Sequence, residues 1–193
     1  MYPVKPKFIS NEEEKSGARI GTMYHRIFEL FDYNIDFDEE LLKSGDYSQI
    51  KNMIDSFADK GLINGDEYEE IPLTVYARFI LSPMYEKLRD AYMNKTLRRE
   101  QKFIFSTKAS SISKEYKDDD PILIQGIIDA FYEKDGKVTI IDYKSDNVVK
   151  MKELKKKYEV QLQIYKRAVA QILQNDNVES FIYSTYLGES IEI

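Results

Sequence analysis

The sequence contains no cysteine and only one histidine, and no apolar run approaches the ~20 residues that a membrane-spanning helix needs. The lack of cysteine excludes disulfides, cysteine-ligated zinc or iron–sulfur clusters, and a cysteine nucleophile in this chain. The first ten residues also carry no apolar stretch of the signal-peptide type. These absences predict a soluble, cytoplasmic protein that depends on an apolar core for its stability.

Charge is unevenly distributed along the 193 residues, whose formal net charge is −6. Residues 32–70 contain twelve acidic and three basic side chains, a balance that disfavours contact with a polyanion. Residues 144–167 contain eight basic and three acidic side chains. A lysine run of this kind is most often a solvated helix start, and contact with a nucleic-acid backbone is the alternative.

Hydrophobic periodicity predicts one α/β domain over residues 1–193, with a helical N-terminal half and a small mixed sheet flanked by helices. Helices are expected to begin at Gly21-Thr22 and after Ser82-Pro83, and to cover residues 47–60, 67–80 and about 158–173. The strands are expected at REQKFIF, in two runs around Asp135-Gly136, and at FIYSTY and SIEI, with a polar loop over SSISKEYKDDDP.

Asp135-Gly136 is typical of a two-residue hairpin turn. Such a turn sets Asp129 opposite Asp142, with Cβ atoms about 5 Å apart, where like charges repel. Lys144 lies two residues after Asp142 and therefore leaves the same face of the strand. The apolar residues expected to continue that face are Ile127, Val138 and Ile140.

Two carboxylates that converge at the end of a buried hairpin suit a hard divalent cation, since Mg²⁺ prefers oxygen ligands. A neighbouring ammonium group adds the means to stabilise phosphate charge. The alternative is a carboxylate pair that is balanced by Lys144 and water alone. The hairpin by itself leaves both interpretations open.

Four further polar residues have two interpretations each. His25 is either a tolerated helix residue or a cation ligand, and imidazole would favour the softer Mn²⁺ over Mg²⁺. Glu100 lies on an alternating stretch, where an exposed residue of an edge strand is the simplest interpretation and a site residue is the alternative. Gln161 and Tyr165 share one face of a helix, where they serve either as surface residues or as hydrogen-bond partners of a phosphate or carboxylate.

Five motifs follow one another along the chain: GTMYHRIFE, REQKF, ILIQGIIDAFYE, VTIIDYKSDN and YEVQLQIYKRAV. Together they resemble the RecB-type branch of the PD-(D/E)XK nucleases, and within it the C-terminal nuclease domains of the AddA type. The resemblance runs from about Lys5 to the last residue and implies a restriction-endonuclease-like fold.

The resemblance also implies roles for individual residues. His25, Asp129 and Asp142 would bind Mg²⁺ or Mn²⁺, with the backbone carbonyl of Tyr143 as a further ligand, and Lys144 would be the catalytic lysine. The family's other catalytic positions fall on Glu100, Gln161 and Tyr165. The basic residues expected to follow the DNA backbone are Lys150, Lys152, Lys155, Lys156, Lys157 and Arg167.

The implied function is that of a metal-dependent deoxyribonuclease, a single-strand exonuclease in an ATP-dependent helicase–nuclease for double-strand break repair and recombination. Its partners would be single-stranded DNA, the helicase motor of a parent polypeptide and an AddB-like subunit. The chain has no G-x-x-x-x-G-K-[ST] loop, so no ATP site is expected in it. We therefore expect an excised domain or a free-standing relative, without the four-cysteine iron–sulfur cluster of AddB.

Two alternatives remain at this point. The net charge of −6 and the acidic balance of residues 32–70 predict weak affinity of the isolated chain for DNA, and so dependence on a parent complex. One alternative is therefore a DNA-holding or subunit-docking module that has the nuclease fold and cleaves little by itself, with the acidic region facing a protein partner. A relative directed at RNA is the other.

Overall fold

The structure of the protein is a computed structural model that describes residues 12–69, 71–111 and 120–193. Most of the predicted polar loop and the first residues of the chain lie outside these ranges. In the part of the chain that is described, no helix is long and apolar enough to cross a membrane.

Within residues 12–69, 71–111 and 120–193, six helices come first, a sheet follows, and a seventh helix lies between its third and fourth strands. The elements are α1 (Glu12–Leu30), α2 (Glu39–Ser44), α3 (Ser48–Asp59), α4 (Gly65–Tyr68), α5 (Thr74–Ile80), α6 (Pro83–Met93), β1 (Arg98–Lys108), a 3₁₀ turn (Ala109–Ser111), β2 (Pro121–Lys134), β3 (Lys137–Lys144), α7 (Met151–Leu173), β4 (Val178–Ser184) and β5 (Glu189–Glu192). The predicted helical half and the mixed sheet flanked by helices are confirmed.

The predicted helix boundaries were wrong in three places. Gly21 does not begin a helix but lies inside α1, because a glycine in a helix interior costs only about 1 kcal/mol and is tolerated. The helix predicted over 67–80 is two helices, since Pro72 lacks an N–H group and disfavours a helical residue before it. Helix α7 begins at Met151, so the lysine run lies on its first turns.

The start of α6 agrees with the prediction. The Ser82 hydroxyl accepts a hydrogen bond from the backbone N–H of Tyr85, and Pro83 occupies the first helical position.

The five strands lie in the order β1-β2-β3-β4-β5. All neighbours are antiparallel except β3 and β4, which are parallel. A parallel pair needs a long crossover, and α7 provides it. One face of the sheet packs on the N-terminal helices through residues such as Phe28, Phe79 and Tyr143, and the other packs on α7 through Phe103, Ile140 and Val169. The sheet is therefore the middle layer of the described structure.

The β2–β3 hairpin follows the predicted register. Asp135 and Gly136 have φ angles of 52° and 72°, as a type I′ turn requires. The pairs run from Lys134 with Lys137 to Ala130 with Ile141, the last pair of this ladder. The next residue, Asp129, accepts a hydrogen bond from a backbone N–H of β3 through its side chain.

The alternation of faces along β2 breaks at Asp129. Ile128 packs in the core under α7, whereas Ala130, two residues later, packs in the core of the helical half. On the neighbouring strand β1, Glu100 lies opposite Asp129, between the ladder pairs Arg99–Ala130 and Gln101–Ile128. Glu100 has a φ angle of 49°. Positive φ is uncommon for a residue other than glycine and often marks a functional site.

The break corrects one prediction. Ile127 does not continue the face of Val138 and Ile140: its exposed fraction is 42%, whereas both of those residues are fully buried. Its side chain lies on the opposite side of the sheet from theirs because strict alternation ends at Asp129.

Candidate metal centre

Three side chains from three different elements converge at this break. His25 of α1, Glu100 of β1 and Asp129 of β2 each offer a ligand atom, and these atoms lie within 4.8 Å of one another. His25 Nδ1 is 3.2 Å from Asp129 Oδ1. The exposed fractions of the two side chains are 31% and 9%, so the histidine is partly open to solvent and the carboxylate is largely buried.

A backbone hydrogen bond from β3 fixes the position of the Asp129 carboxylate. Its Oδ2 accepts a hydrogen bond of 2.8 Å from the backbone N–H of Tyr143, which leaves Oδ1 facing His25. One oxygen therefore anchors the carboxylate to β3, and the other takes part in the group.

Helix α1 brings His25 to the sheet through aromatic and close backbone contacts. The ring of Tyr143 stacks on Phe28 with centroids 4.2 Å apart, and its contact with the His25 ring is edge-on at 6.3 Å. A Cβ atom at Gly21 would lie 3.0 Å from the hydroxyl of Ser145, so a glycine allows α1 to approach the segment after β3.

Asp142 and Lys144 form a buried ion pair beside this group. Lys144 Nζ lies 2.6 Å from Asp142 Oδ2, and the exposed fractions of the side chains are 13% and 2%. On α7, the Gln161 amide donates to Asp142 Oδ1 at 3.4 Å and to the Tyr165 hydroxyl at 2.8 Å. The structure thus brings all four of these predicted site residues together.

The placement of Asp142 differs from the ligand set that the resemblance implies. Among the described residues, the compact histidine–carboxylate group contains Glu100 in addition to His25 and Asp129, while the Asp142 carboxylate pairs with Lys144. The ammonium neutralises Asp142 at this position. Metal binding by Asp142 and by the Tyr143 carbonyl stays a prediction.

The electrostatics of the group favour a positive charge within it. Burial, and next the Asp129 carboxylate, raise the pKa of Glu100 to about 6. Burial lowers the pKa of His25, but the hydrogen bond and charge of Asp129 outweigh it and the net pKa is raised. Burial also raises the pKa of Asp142, with Lys144 opposing. Clustered acids held above their ordinary pKa are typical of sites that bind cations or perform catalysis.

The donor set fits a divalent cation. Carboxylate oxygens are the ligands that Mg²⁺ and Mn²⁺ prefer, and one imidazole nitrogen is compatible with Mn²⁺ in particular. The Oδ2 atom of Asp142 is buried, and its one partner among the described residues is the Lys144 ammonium. The residues present are therefore suited to hold the metal that the sequence predicted.

The predicted DNA-binding residues lie near the N-terminal end of α7 and further along it. Lys155 donates to the backbone carbonyl of Glu192, and Lys157 pairs with Asp146, so these two side chains have partners within the protein. Lys150, Lys152, Lys156 and Arg167 are exposed. Their contact with DNA stays a prediction.

Tyr158 is a site residue that the sequence analysis missed. Its ring lies against Lys144, with Nζ 4.3 Å from the ring centroid. The signal was present, since Tyr158 precedes Gln161 by three residues and so lies on the same face of α7.

Comparison with known proteins identifies the family of the chain. The family model described as "PD-(D/E)XK nuclease superfamily" matches residues 4–189. The chain is 31% identical over 228 residues to the AddA component of the ATP-dependent helicase/nuclease of Lachnoclostridium phytofermentans, covering 100% of the chain and 16% of that protein. The proteins of the same name from Clostridium novyi and Staphylococcus epidermidis are 28% and 29% identical to the chain. These matches cover 98% and 95% of the chain and 15% of each relative.

The chain thus spans 15% to 16% of the length of these relatives. The family match covers nearly all of the chain and includes the hairpin that carries Asp129, Asp142 and Lys144. This chain belongs to the PD-(D/E)XK nuclease superfamily.

Proposed function

We propose that the protein is a metal-dependent deoxyribonuclease that hydrolyses phosphodiester bonds of single-stranded DNA. The observation that carries the proposal is the convergence of His25, Glu100 and Asp129 beside the Asp142–Lys144 pair. Membership of a nuclease superfamily and the cationic first turns of α7 support it.

His25, Glu100 and Asp129 would hold the cation, with Asp142 close by. A bound divalent cation supplies Lewis-acid activation of water and of the phosphate in such sites. Asp129 needs no reorientation for this role, because its second oxygen is already anchored by the N–H of Tyr143.

Lys144 acts in this scheme as a hydrogen-bond donor and a fixed positive charge. Burial lowers its pKa, but the charge and the hydrogen bond of Asp142, with the charge of Asp129, together outweigh burial and the net pKa is raised, so the amine stays protonated at neutral pH. An ammonium group orients the attacking water and stabilises negative charge that develops on the phosphate. Gln161 holds the Asp142 carboxylate from α7, and its amide also donates to the Tyr165 hydroxyl on the same helix.

The biological setting is proposed from the relatives. Their name, ATP-dependent helicase/nuclease, joins a helicase and a nuclease in one assembly. We propose that a motor of this kind, with an AddB-like partner, supplies unwound strands to the site during processing of DNA breaks. The 193-residue chain itself is then expected to cleave DNA without ATP.

A cleavage assay tests the proposed reaction. Labelled single-stranded DNA should be degraded in Mg²⁺ or Mn²⁺, with or without ATP, and protected by EDTA. Asp129→Asn and Lys144→Met should abolish cleavage, whereas Glu133→Gln, an exposed carboxylate on the same strand as Asp129, should not.

The same assay separates the alternatives. Binding of DNA without cleavage, unchanged by Asp129→Asn, would support a DNA-holding module and overturn the proposal. Equal or faster cleavage of RNA under the same conditions would replace DNA as the substrate.

A further inference from the structure

Lys144 is held between two groups. On one side its Nζ is 2.6 Å from the Asp142 carboxylate, and on the other it lies 4.3 Å from the centre of the Tyr158 ring. That distance is within the ~6 Å over which an aromatic ring attracts an ammonium group. We infer that Tyr158 is a positioning residue for Lys144. The inference rests on the proposed function, from which the role of the lysine comes.

Tyr158 is itself anchored beside the lysine. Its hydroxyl donates a hydrogen bond of 2.9 Å to Asp146 Oδ2, and the other oxygen of Asp146 contacts Lys157 Nζ at 2.5 Å. Asp146 follows Lys144 by two residues in the segment after β3. Two side-chain contacts therefore tie the segment that follows the lysine to the helix that carries the ring.

The ring provides something that the carboxylate cannot. A lysine side chain has a flexible four-carbon stem. The ion pair with Asp142 fixes the position of the ammonium group only while the negative charge of this carboxylate is not shared with a cation. Contact with the Tyr158 ring does not depend on the state of Asp142. It keeps the ammonium at the same place whether or not the carboxylate is shared with a cation.

Three variants test the inference kinetically. Tyr158→Leu removes the ring, and Tyr158→Phe keeps it but removes the hydroxyl. Phe181→Leu is the matched control, because it removes a ring from another lysine, Lys87, whose Nζ lies 5.2 Å from the ring centroid.

We expect Tyr158→Leu to lower kcat about tenfold with KM changed less than about twofold, because a desolvated cation–π contact has an energy of that order. Tyr158→Phe should retain kcat within about threefold, and Phe181→Leu should behave as the wild type. Wild-type kcat in Tyr158→Leu, or an equal loss of kcat in the Phe181 control, would overturn the inference.

A spectroscopic measurement reports the contact without turnover. In protein with ¹³C-labelled lysine, the ε-methylene signal of Lys144 should be shifted upfield by the ring current of Tyr158, and Lys144→Met identifies it by its loss. The shift should persist in Tyr158→Phe and disappear in Tyr158→Leu. A signal at the same position in the wild type and in Tyr158→Leu would overturn the contact.

Asp146→Asn serves if Tyr158→Leu does not fold. It leaves the ring in place but removes the charge of its anchor, so the Lys144 signal should move part of the way towards that of an exposed lysine. An unmoved signal would overturn the anchoring. If the wild type did not cleave DNA at all, the proposed function would fail, and the spectrum alone would decide whether Tyr158 holds Lys144.

Discussion

Replacing Glu100 with glutamine removes one negative charge from the ligand group while it keeps the shape of the side chain. The wild-type group places this carboxylate within 4.8 Å of the ligand atoms of His25 and Asp129. Without a cation, two like charges at this spacing repel, so we expect Glu100→Gln to stabilise the metal-free protein at neutral pH.

The size of this effect follows from the geometry and from the pKa. Two unit charges 4.8 Å apart interact with about 3.5 kcal/mol at an effective dielectric constant of about 20, and His25 offsets part of this repulsion. A rise in the pKa of Glu100 from 4.5 to about 6 corresponds to about 2 kcal/mol. Because Glu100 is partly exposed, solvent screening reduces the expected gain in the free energy of unfolding to about 1 kcal/mol.

The sign of the pH dependence is fixed by the direction of the shift. The folded protein binds the Glu100 proton more tightly than the unfolded chain, so this residue favours folding below pH 4.5 and loses that contribution as the pH rises through about 6. The advantage of Glu100→Gln should therefore be absent near pH 4.5 and complete above about pH 6.5.

Urea unfolding at about pH 4.5 and about pH 7 measures the free energy of unfolding of the wild type and of Glu100→Gln. Glu133→Gln is the control, since it removes an exposed carboxylate. In Mn²⁺ the order should reverse, because a cation at about 100 times its Kd stabilises the wild type by about 2.7 kcal/mol and the variant has lost a ligand. Destabilisation of the metal-free variant at pH 7 would refute the reasoning, as would equal stabilisation of both proteins by Mn²⁺.

Three further predictions concern the ligand group, the core and the DNA-binding surface. His25→Asn should reduce Mn²⁺ affinity more than Mg²⁺ affinity, since imidazole prefers the softer ion; calorimetry that finds equal losses would contradict this. A Cβ atom at Gly126 would lie 2.8 Å from the Phe103 ring, so Gly126→Ala should lower the free energy of unfolding by about 1–3 kcal/mol, and an unchanged urea midpoint would count against the packing. Changing Lys152 and Lys156 to alanine should reduce the slope of log affinity for single-stranded DNA against log salt by about 1.4, and an unchanged slope would remove them from the interface.

The hairpin could be predicted from the sequence because its turn chemistry is local. Asp135 and Gly136 both tolerate positive φ, which fixes the turn type and with it the register from Lys134 to Ala130. The start of α6 at Ser82 is predictable for the same reason, since the cap and the proline are adjacent in the chain.

The break at Glu100 and Asp129 could not be predicted in this way. Glu100 has a positive φ without being glycine or asparagine, and the surrounding structure imposes this conformation. Pure alternation therefore placed Ile127 on the wrong face. The same break brings Glu100 towards His25, a contact that the pattern of an exposed edge strand did not suggest.

The start of α7 was missed because charged residues on an exposed helix face carry little apolar periodicity. Residues from Met151 to Lys157 include four lysines, so the amphipathic pattern becomes clear only from Tyr158 onward. The contact between Tyr158 and Lys144 depends on this earlier start, since it requires the first turns of α7 to pack beside the end of β3.

We propose that a divalent cation binds between α1 and the β1–β2 ladder, in contact with both. The most direct test is an anomalous-difference map of crystals soaked in Mn²⁺ at a concentration that supports DNA cleavage. We expect a peak in contact with His25, Glu100 and Asp129. A map without a peak at this group, or with its strongest peak elsewhere in the protein, would contradict this assignment of the metal site.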